Sequence, residues 1–226
     1  MAKKRKKKRR LRLSRIFFFL IIFTLFAIGV YYLIKIPVRG YYISGNTYYT
    51  DQQIFEKTKL DKYPSYLLTT SFSVSNKVKK DNLINNIKIK KTFTGMFNVI
   101  VNENKILFYD NVKKKSILDN NTQISFYYEN SPVLVSEIEN KKVYNKLIEK
   151  ITKLNDDIMK NISEIKYEPN DIDKERFLLS MNDGNYVYVT LSKFSNINNY
   201  LEISNTLGDK NGILYLDYGN YFVPKE

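Results

Sequence analysis

The sequence contains no cysteine, no histidine and no tryptophan. Without cysteine there is no disulfide, no thiol nucleophile and no thiolate metal site. Without histidine the commonest general base and metal ligand is missing, so Ser-His and Cys-His nucleophile systems are excluded. Neither a G-x-x-x-x-G-K-[ST] phosphate loop nor a G-x-G-x-x-G fingerprint occurs. Acid is also absent from residues 1–15, which hold ten lysines and arginines. The formal charge of +14 is therefore uneven, because the remaining chain carries 27 basic residues against 23 acidic ones. A basic tail is joined to a nearly balanced body. Tyrosine is abundant at 19 residues, but Lys, Asn, Ile and Phe are abundant too, as AT-rich codons produce. The tyrosine count alone does not mark a binding surface.

Ile16 to Ile34 is free of charge and almost wholly apolar. As a helix its 19 residues span about 28 Å, close to a bilayer's hydrocarbon thickness. A helix is the form in which a lone segment satisfies its backbone in lipid. Tyr31 and Tyr32 sit near one end, where amphipathic rings favour the interface. Lys3, Lys4, Arg5, Lys6, Lys7, Lys8, Arg9, Arg10, Arg12 and Arg15 precede the span, whereas only Lys35 and Arg39 closely follow it. The positive-inside bias places the N-terminus in the cytoplasm and Ile36 onward outside. Three other readings compete. A cleaved signal peptide would use Ala27 and Gly29, but the apolar run exceeds the usual range of about 7–15 residues. A nucleic-acid arm would use the same lysines and arginines, yet orientation and anionic lipid explain them beside a span. A buried core helix would need a larger apolar body than the rest of the chain supplies. The reading is a single-pass membrane protein with no specific nucleic-acid partner.

The part after the span divides in two. Residues 36–103 read as β-α-α-β-β. Tyr41 and Ile43 form a short strand ending at Gly45-Asn46, and Thr50 or Asp51 caps a helix through Lys57 with Ile54 on its buried face. A second helix runs over Ser71–Leu83, marked by Val74 and Val78. Strands follow around Ile87–Ile89 and Phe97–Val101, joined through Gly95. Residues 104–226 open with short strands at Ile106–Tyr109, Lys115–Leu118, Gln123–Tyr127 and Val133–Ser136. Val143, Leu147, Ile151 and Leu154 then give a helix over Lys141–Leu154. A strand at Ile162–Tyr167 precedes a hairpin, Phe177–Met181 and Tyr186–Leu191, turned by Asn182-Asp183-Gly184-Asn185. A helix over Ser195–Leu207 and a last pair around Tyr218-Gly219-Asn220 complete the chain. The fold class is α+β.

This order of parts resembles the FtsQ/DivIB family of bacterial cell-division proteins. Ile43-Ser44-Gly45-Asn46 with Tyr49-Thr50-Asp51-Gln52-Gln53-Ile54 looks like the opening of that family's POTRA module. Phe97-Asn98-Val99-Ile100-Val101-Asn102-Glu103 resembles its last strand. Ile117-Leu118-Asp119, Ile213-Leu214-Tyr215-Leu216-Asp217 and Tyr221-Phe222-Val223-Pro224 resemble parts of the following β-unit. Asn104-Lys105-Ile106 stands where the family often has Arg-x-Pro. Asn120-Asn121 replaces a usual turn glycine, a change asparagine tolerates because it adopts positive φ. The organisation is then a basic cytoplasmic tail (1–15), a transmembrane helix (16–34), a POTRA-like domain (36–103) and a β-rich α+β domain (104–226).

No catalytic constellation appears. Asp156-Asp157, Glu137 with Glu139, and Asp171 with Asp173 read as solvated surface. Ser163-Glu164-Ile165-Lys166 fits S-x-x-K, but its S-D-N and K-T-G companions are absent. The resemblance implies a non-enzymatic assembly protein without cofactor or metal. Its POTRA-like module helps recruit it to the division complex. Its β-unit binds FtsB/DivIC-type and FtsL-type single-pass proteins outside the membrane, and indirectly controls the septal peptidoglycan synthase. The expected location is the cell membrane at the division septum. Strand addition at an open sheet edge is the physical means available. Ile213–Val223 is the candidate edge, with Ile213, Tyr215, Asp217, Tyr221 and Val223 as candidate partner-binding residues. A second reading of equal weight has the same strand simply finish the sheet, with its tyrosines as half-buried packing. The alternative function is a membrane-tethered module binding cell-wall polymer, where tyrosines stack on sugars. A carboxylate-only membrane enzyme is a third class.

Overall fold

The computed structural model describes residues 13–208 and 210–225. The first helix, α1 (Leu13–Lys35), contains the whole expected span and is long and apolar enough to cross a membrane. Its large apolar side chains stand exposed, and Thr24 returns its hydroxyl proton to the Leu20 carbonyl at 2.5 Å, leaving no unsatisfied donor there. Of the orienting residues, Arg15 lies in this helix. Lys3, Lys4, Arg5, Lys6, Lys7, Lys8, Arg9, Arg10 and Arg12 lie outside the described residues.

The chain forms two compact units, one of residues up to 79 together with 86–101, the other of residues 80–85 together with 102 onward. The first holds α1 and a small module: β1 (Gly40–Ser44), α2 (Asp51–Thr58), a 3-10 turn (Leu60–Lys62), α3 (Ser71–Val78), β2 (Ile84–Lys91) and β3 (Met96–Glu103). The order is the β-α-α-β-β read from the sequence. The sheet order is β1-β3-β2, with β1 parallel to β3. Both helices begin with a capping box, Thr50 with Gln53 and Thr70 with Ser73. Ile54, Leu60, Val74, Val78, Phe97 and Val99 are buried in the core. The Tyr41 ring packs against Phe55 and Phe97, and its hydroxyl donates to the Leu60 carbonyl at 2.7 Å. Burial pushes that phenol's pKa well up, with Tyr63 and Asp61 adding to it. The second helix is shorter than the expected Ser71–Leu83. The Asp81 carboxylate accepts the Leu83 N–H at 3.1 Å and so offers the backbone a turn in place of another helical bond.

The second unit contains a nine-stranded sheet ordered β12-β11-β10-β9-β8-β7-β4-β5-β6. Its strands are β4 (Ile106–Asp110), β5 (Lys115–Leu118), β6 (Gln123–Ile124), β7 (Val133–Leu134), β8 (Ile162–Tyr167), β9 (Arg176–Met181), β10 (Tyr186–Thr190), β11 (Gly212–Tyr215) and β12 (Tyr221–Pro224). The strands expected over 123–127 and 133–136 pair for only two residues each. Helix α4 (Lys141–Thr152) buries Val143, Leu147, Ile148 and Ile151 against the sheet, as its spacing requires. Helix α5 (Asp156–Asn161) was not legible, because six residues are too few to show a period. The expected helix over 195–207 is a 3-10 helix (Leu191–Asn199) running into α6 (Tyr200–Leu207). Leu191, Phe194 and Ile197 are all buried at a spacing of three, and only a three-residue turn stacks that spacing on one line. Asn121 takes the positive φ of 62° that its turn demands. These helices and the inward strand residues form one core, which leaves the opposite face of β9–β12 to solvent.

Candidate functional site

The end of the large sheet is built from three strands. β10 pairs parallel with β11, and β11 pairs antiparallel with β12. Val187, Val189 and Leu214 point into the core, with Phe222 packed partly against it. Strand alternation turns their neighbours outward. The register aligns these outward residues in two rows across the strands: Tyr186, Ile213 and Val223 in one, Tyr188, Tyr215 and Tyr221 in the other.

The second row is a stack. The Tyr188 and Tyr215 rings lie 5.3 Å apart at 26°, and Tyr215 and Tyr221 lie 4.7 Å apart at 11°. Arg176 of β9 continues it, with its guanidinium carbon 3.5 Å from the Tyr188 ring centroid. Asp217 accepts from Arg176 Nε at 2.7 Å, and both side chains are largely buried. Burial works against the Arg176 charge, but the Asp217 contact outweighs it and moves the guanidinium pKa up. The second Asp217 oxygen accepts the Tyr218 N–H, and the Asp217 carbonyl accepts from Lys193 Nζ at 2.7 Å. Asp217 thus holds the Arg176 guanidinium over the end of the stack and bonds the turn between β11 and β12.

Four of the five sequence candidates, Ile213, Tyr215, Tyr221 and Val223, share the outward face. Asp217 is buried beneath it and offers no side chain to a partner. Only part of the candidate segment is an edge, since β11 is enclosed between β10 and β12. Among the described residues the free edge is β12. Tyr186, Tyr188, Leu178 and Arg176 complete the face and were not singled out from the sequence. The alternation Tyr186-Val187-Tyr188-Val189 carries the signal for the first two. The sheet's other edge, β6, is two residues long.

Elsewhere polar chemistry is spent internally. Ser163 donates to the Ser180 carbonyl at 3.0 Å, and Lys166 pairs with Glu168 at 3.5 Å, so the S-x-x-K residues do not face each other as nucleophile and base. Asp156 pairs with Lys105, and Asp171 with Lys174. Among the described residues no group of three or more acidic side chains could hold a metal ion.

Residues 37–104 match the family model described as the FtsQ-type POTRA domain. The cell division protein DivIB of Bacillus cytotoxicus is 28% identical over 158 residues, 68% of this chain. The chain spans 62% of that relative's length. DivIB of Brevibacillus brevis is 27% identical over 98% of this chain and 88% of its own, and DivIB of Bacillus subtilis 25% identical over 98% and 87%. Among solved structures, the major extracytoplasmic domain of DivIB from Geobacillus stearothermophilus aligns with 46% of this chain and 94% of its own, at 22% identity and a TM-score of 0.39.

Proposed function

We propose, from the likeness of residues 37–104 to the FtsQ-type POTRA domain and of the chain to DivIB proteins, that this is a non-enzymatic, single-pass assembly protein of the FtsQ/DivIB family that captures FtsB/DivIC-type and FtsL-type partners on the β12 edge outside the membrane. Residues 36–103 act as the recruiting POTRA-like domain and 104–226 as the partner-holding domain. By fixing partner geometry the protein governs septal peptidoglycan synthesis at the division site. The basic residues before α1 keep the N-terminus cytoplasmic.

The observation that carries this reading is the coincidence of a free strand with an aromatic face. Lys225 N–H donates inward to the Asn211 carbonyl at 2.8 Å. Ladder alternation then turns the backbone of Phe222 and Pro224 outward. Proline has no N–H, so the edge offers one donor and two acceptors. At about 1 kcal/mol net each, three such bonds supply about 3 kcal/mol, far short of the roughly 8 kcal/mol of micromolar affinity. The side chains of Tyr221, Val223 and their rows must provide the remainder, which makes this face the source of both affinity and selectivity.

The test is co-purification of the organism's FtsB/DivIC-type and FtsL-type proteins with the detergent-solubilised full chain. The variant Tyr221→Glu with Val223→Glu should lose them while its thermal unfolding is unchanged. Unchanged capture by this variant contradicts the edge. Binding of the wild-type chain to purified peptidoglycan with no capture of these partners favours a polymer-binding module instead.

A further inference from the structure

We infer that the end of the small module next to α1 rests on the outer leaflet of the bilayer, through an apolar and basic collar around the exit of the helix. The inference rests on the reading of α1 as a membrane span.

Topology assembles the collar. Strands β1 and β3 run parallel with Gly40 opposite Met96, so both start at the end where the chain leaves α1. The Arg39 N–H donates to the Gly95 carbonyl at 2.9 Å, which holds the β2–β3 turn at that end. The segment 63–70 is tied there as well. Val38 N–H donates to the Pro64 carbonyl at 3.1 Å and Tyr66 N–H to the Ile36 carbonyl at 2.9 Å. Tyr66 O–H donates to the Thr92 carbonyl at 2.7 Å. The Ser65 hydroxyl bonds the carbonyl of Ile34, the last apolar residue of the span, at 2.5 Å. A backbone segment bonded to that residue sits at the depth of the interface.

The side chains at this end are the wrong ones for water. Leu68 is 60% exposed, Phe72 76%, Leu67 about half and Phe93, at the tip of the turn, fully. Single exposed apolar residues are ordinary, but Leu67 and Leu68 lie on the segment bonded to the exit of α1, Phe93 on the turn bonded to Arg39, and Phe72 next to Ser71, whose Oγ accepts the Ile89 N–H at 2.8 Å near the end of β2, so four stand at one end of the module. Charge agrees. Segments 35–42, 63–72 and 88–97 contain Lys35, Arg39, Lys88, Lys90 and Lys91 and no acidic residue. Lys91 Nζ donates to the Leu67 carbonyl at 2.7 Å and lies 5.5 Å from the Tyr66 ring centroid. Apolar side chains that enter the acyl boundary among cations facing headgroups match an anionic lipid surface. Such contact fixes the module's tilt on the membrane.

Because the chain lacks cysteine, one introduced thiol is unique. The full chain is reconstituted in phosphatidylcholine vesicles containing phosphatidylglycerol and carries an NBD label at Leu68→Cys, Phe93→Cys, Lys79→Cys or Ile28→Cys. Lys79 closes the other end of α3, and Ile28 lies in the span. Quenching by nitroxide lipids should be several-fold stronger for the labels at 68 and 93 than for that at 79. It should weaken when phosphatidylglycerol is omitted or when Lys90→Gln and Lys91→Gln are combined. A quenched label at 28 with labels at 68 and 93 no more quenched than at 79 overturns the collar alone. An unquenched label at 28 overturns the spanning reading and the collar with it. A blue shift at 68 and 93 that grows with protein density and is not quenched by lipid overturns the collar in favour of contact between two copies.

Discussion

At the scale of single residues, the second unit depends on a few buried polar pairs. The Tyr144 hydroxyl donates to Asp110 Oδ2 at 2.8 Å, and Lys113 Nζ reaches the same oxygen at 3.1 Å while lying over the Tyr144 ring. Burial, followed by that hydrogen bond, raises the Tyr144 pKa. Tyr144→Phe leaves a buried carboxylate short of a donor and should cost about 1–3 kcal/mol, read as a lower urea midpoint at unchanged slope. The Arg176–Asp217 pair is more sensitive. Asp217→Asn leaves a largely buried guanidinium without its counter-charge and should cost about 3 kcal/mol or more. At Asp183 burial pushes the carboxyl pKa up, but donors from Tyr200 at 2.6 Å, Asn185 and Ser204 outweigh it, and the net shift is down. A carboxyl with a lowered folded pKa stabilises the fold fully above the unfolded value of about 3.9, and the contribution fades as pH falls through the folded value. Asp183→Asn should therefore flatten the acid limb of a stability–pH profile and leave its slope near neutrality unchanged. None of these pairings was legible in the sequence. Asp217 looked like an edge residue because its neighbours are, and only the arrival of Arg176 from β9 shows that it is interior.

At the scale of elements, two glycines hold strands together. Gly45 has a φ of 84°, and a Cβ there would lie 2.4 Å from the Val101 carbonyl oxygen. Gly45→Ala should strain the turn and push β1 off β3. Gly212 has no unusual φ, but a Cβ would meet the Val223 carbonyl oxygen at 2.2 Å. Gly212→Ala should detach β12 and leave the rest of the sheet folded, seen as fast amide exchange confined to residues near 221–225 and loss of partner capture. Retained protection there would contradict the close approach. Elements with a strong period or a turn signature were readable: α1 from its uncharged run, α4 from its apolar stripe, and the β9–β10 hairpin from Asp183-Gly184. The 3-10 helix was misread as α because Phe194 and Ile197 fit either helix over so short a stretch. Helix α5 escaped because its stability comes from burying Ile158 and Met159, a tertiary effect. The outward face of β10–β12 was half readable. Alternation marks which side chains share a face, but strand order, which makes β12 the edge and β11 interior, is set by long-range pairing.

At the scale of the whole molecule, charge and the apolar span together bear on where each part of the chain lies. The balanced body and the basic tail are separated by one helix able to span the membrane. Protease added to intact spheroplasts should digest the part after residue 36 and leave an N-terminal tag protected, and the reverse pattern would contradict the orientation. The central claim is assembly at the division site. Its most direct test is a fluorescent protein fused to the N-terminus and imaged in growing cells of the organism that carries this chain. The account predicts a band at the division plane that appears before constriction. An even outline around the cell at all stages would contradict it.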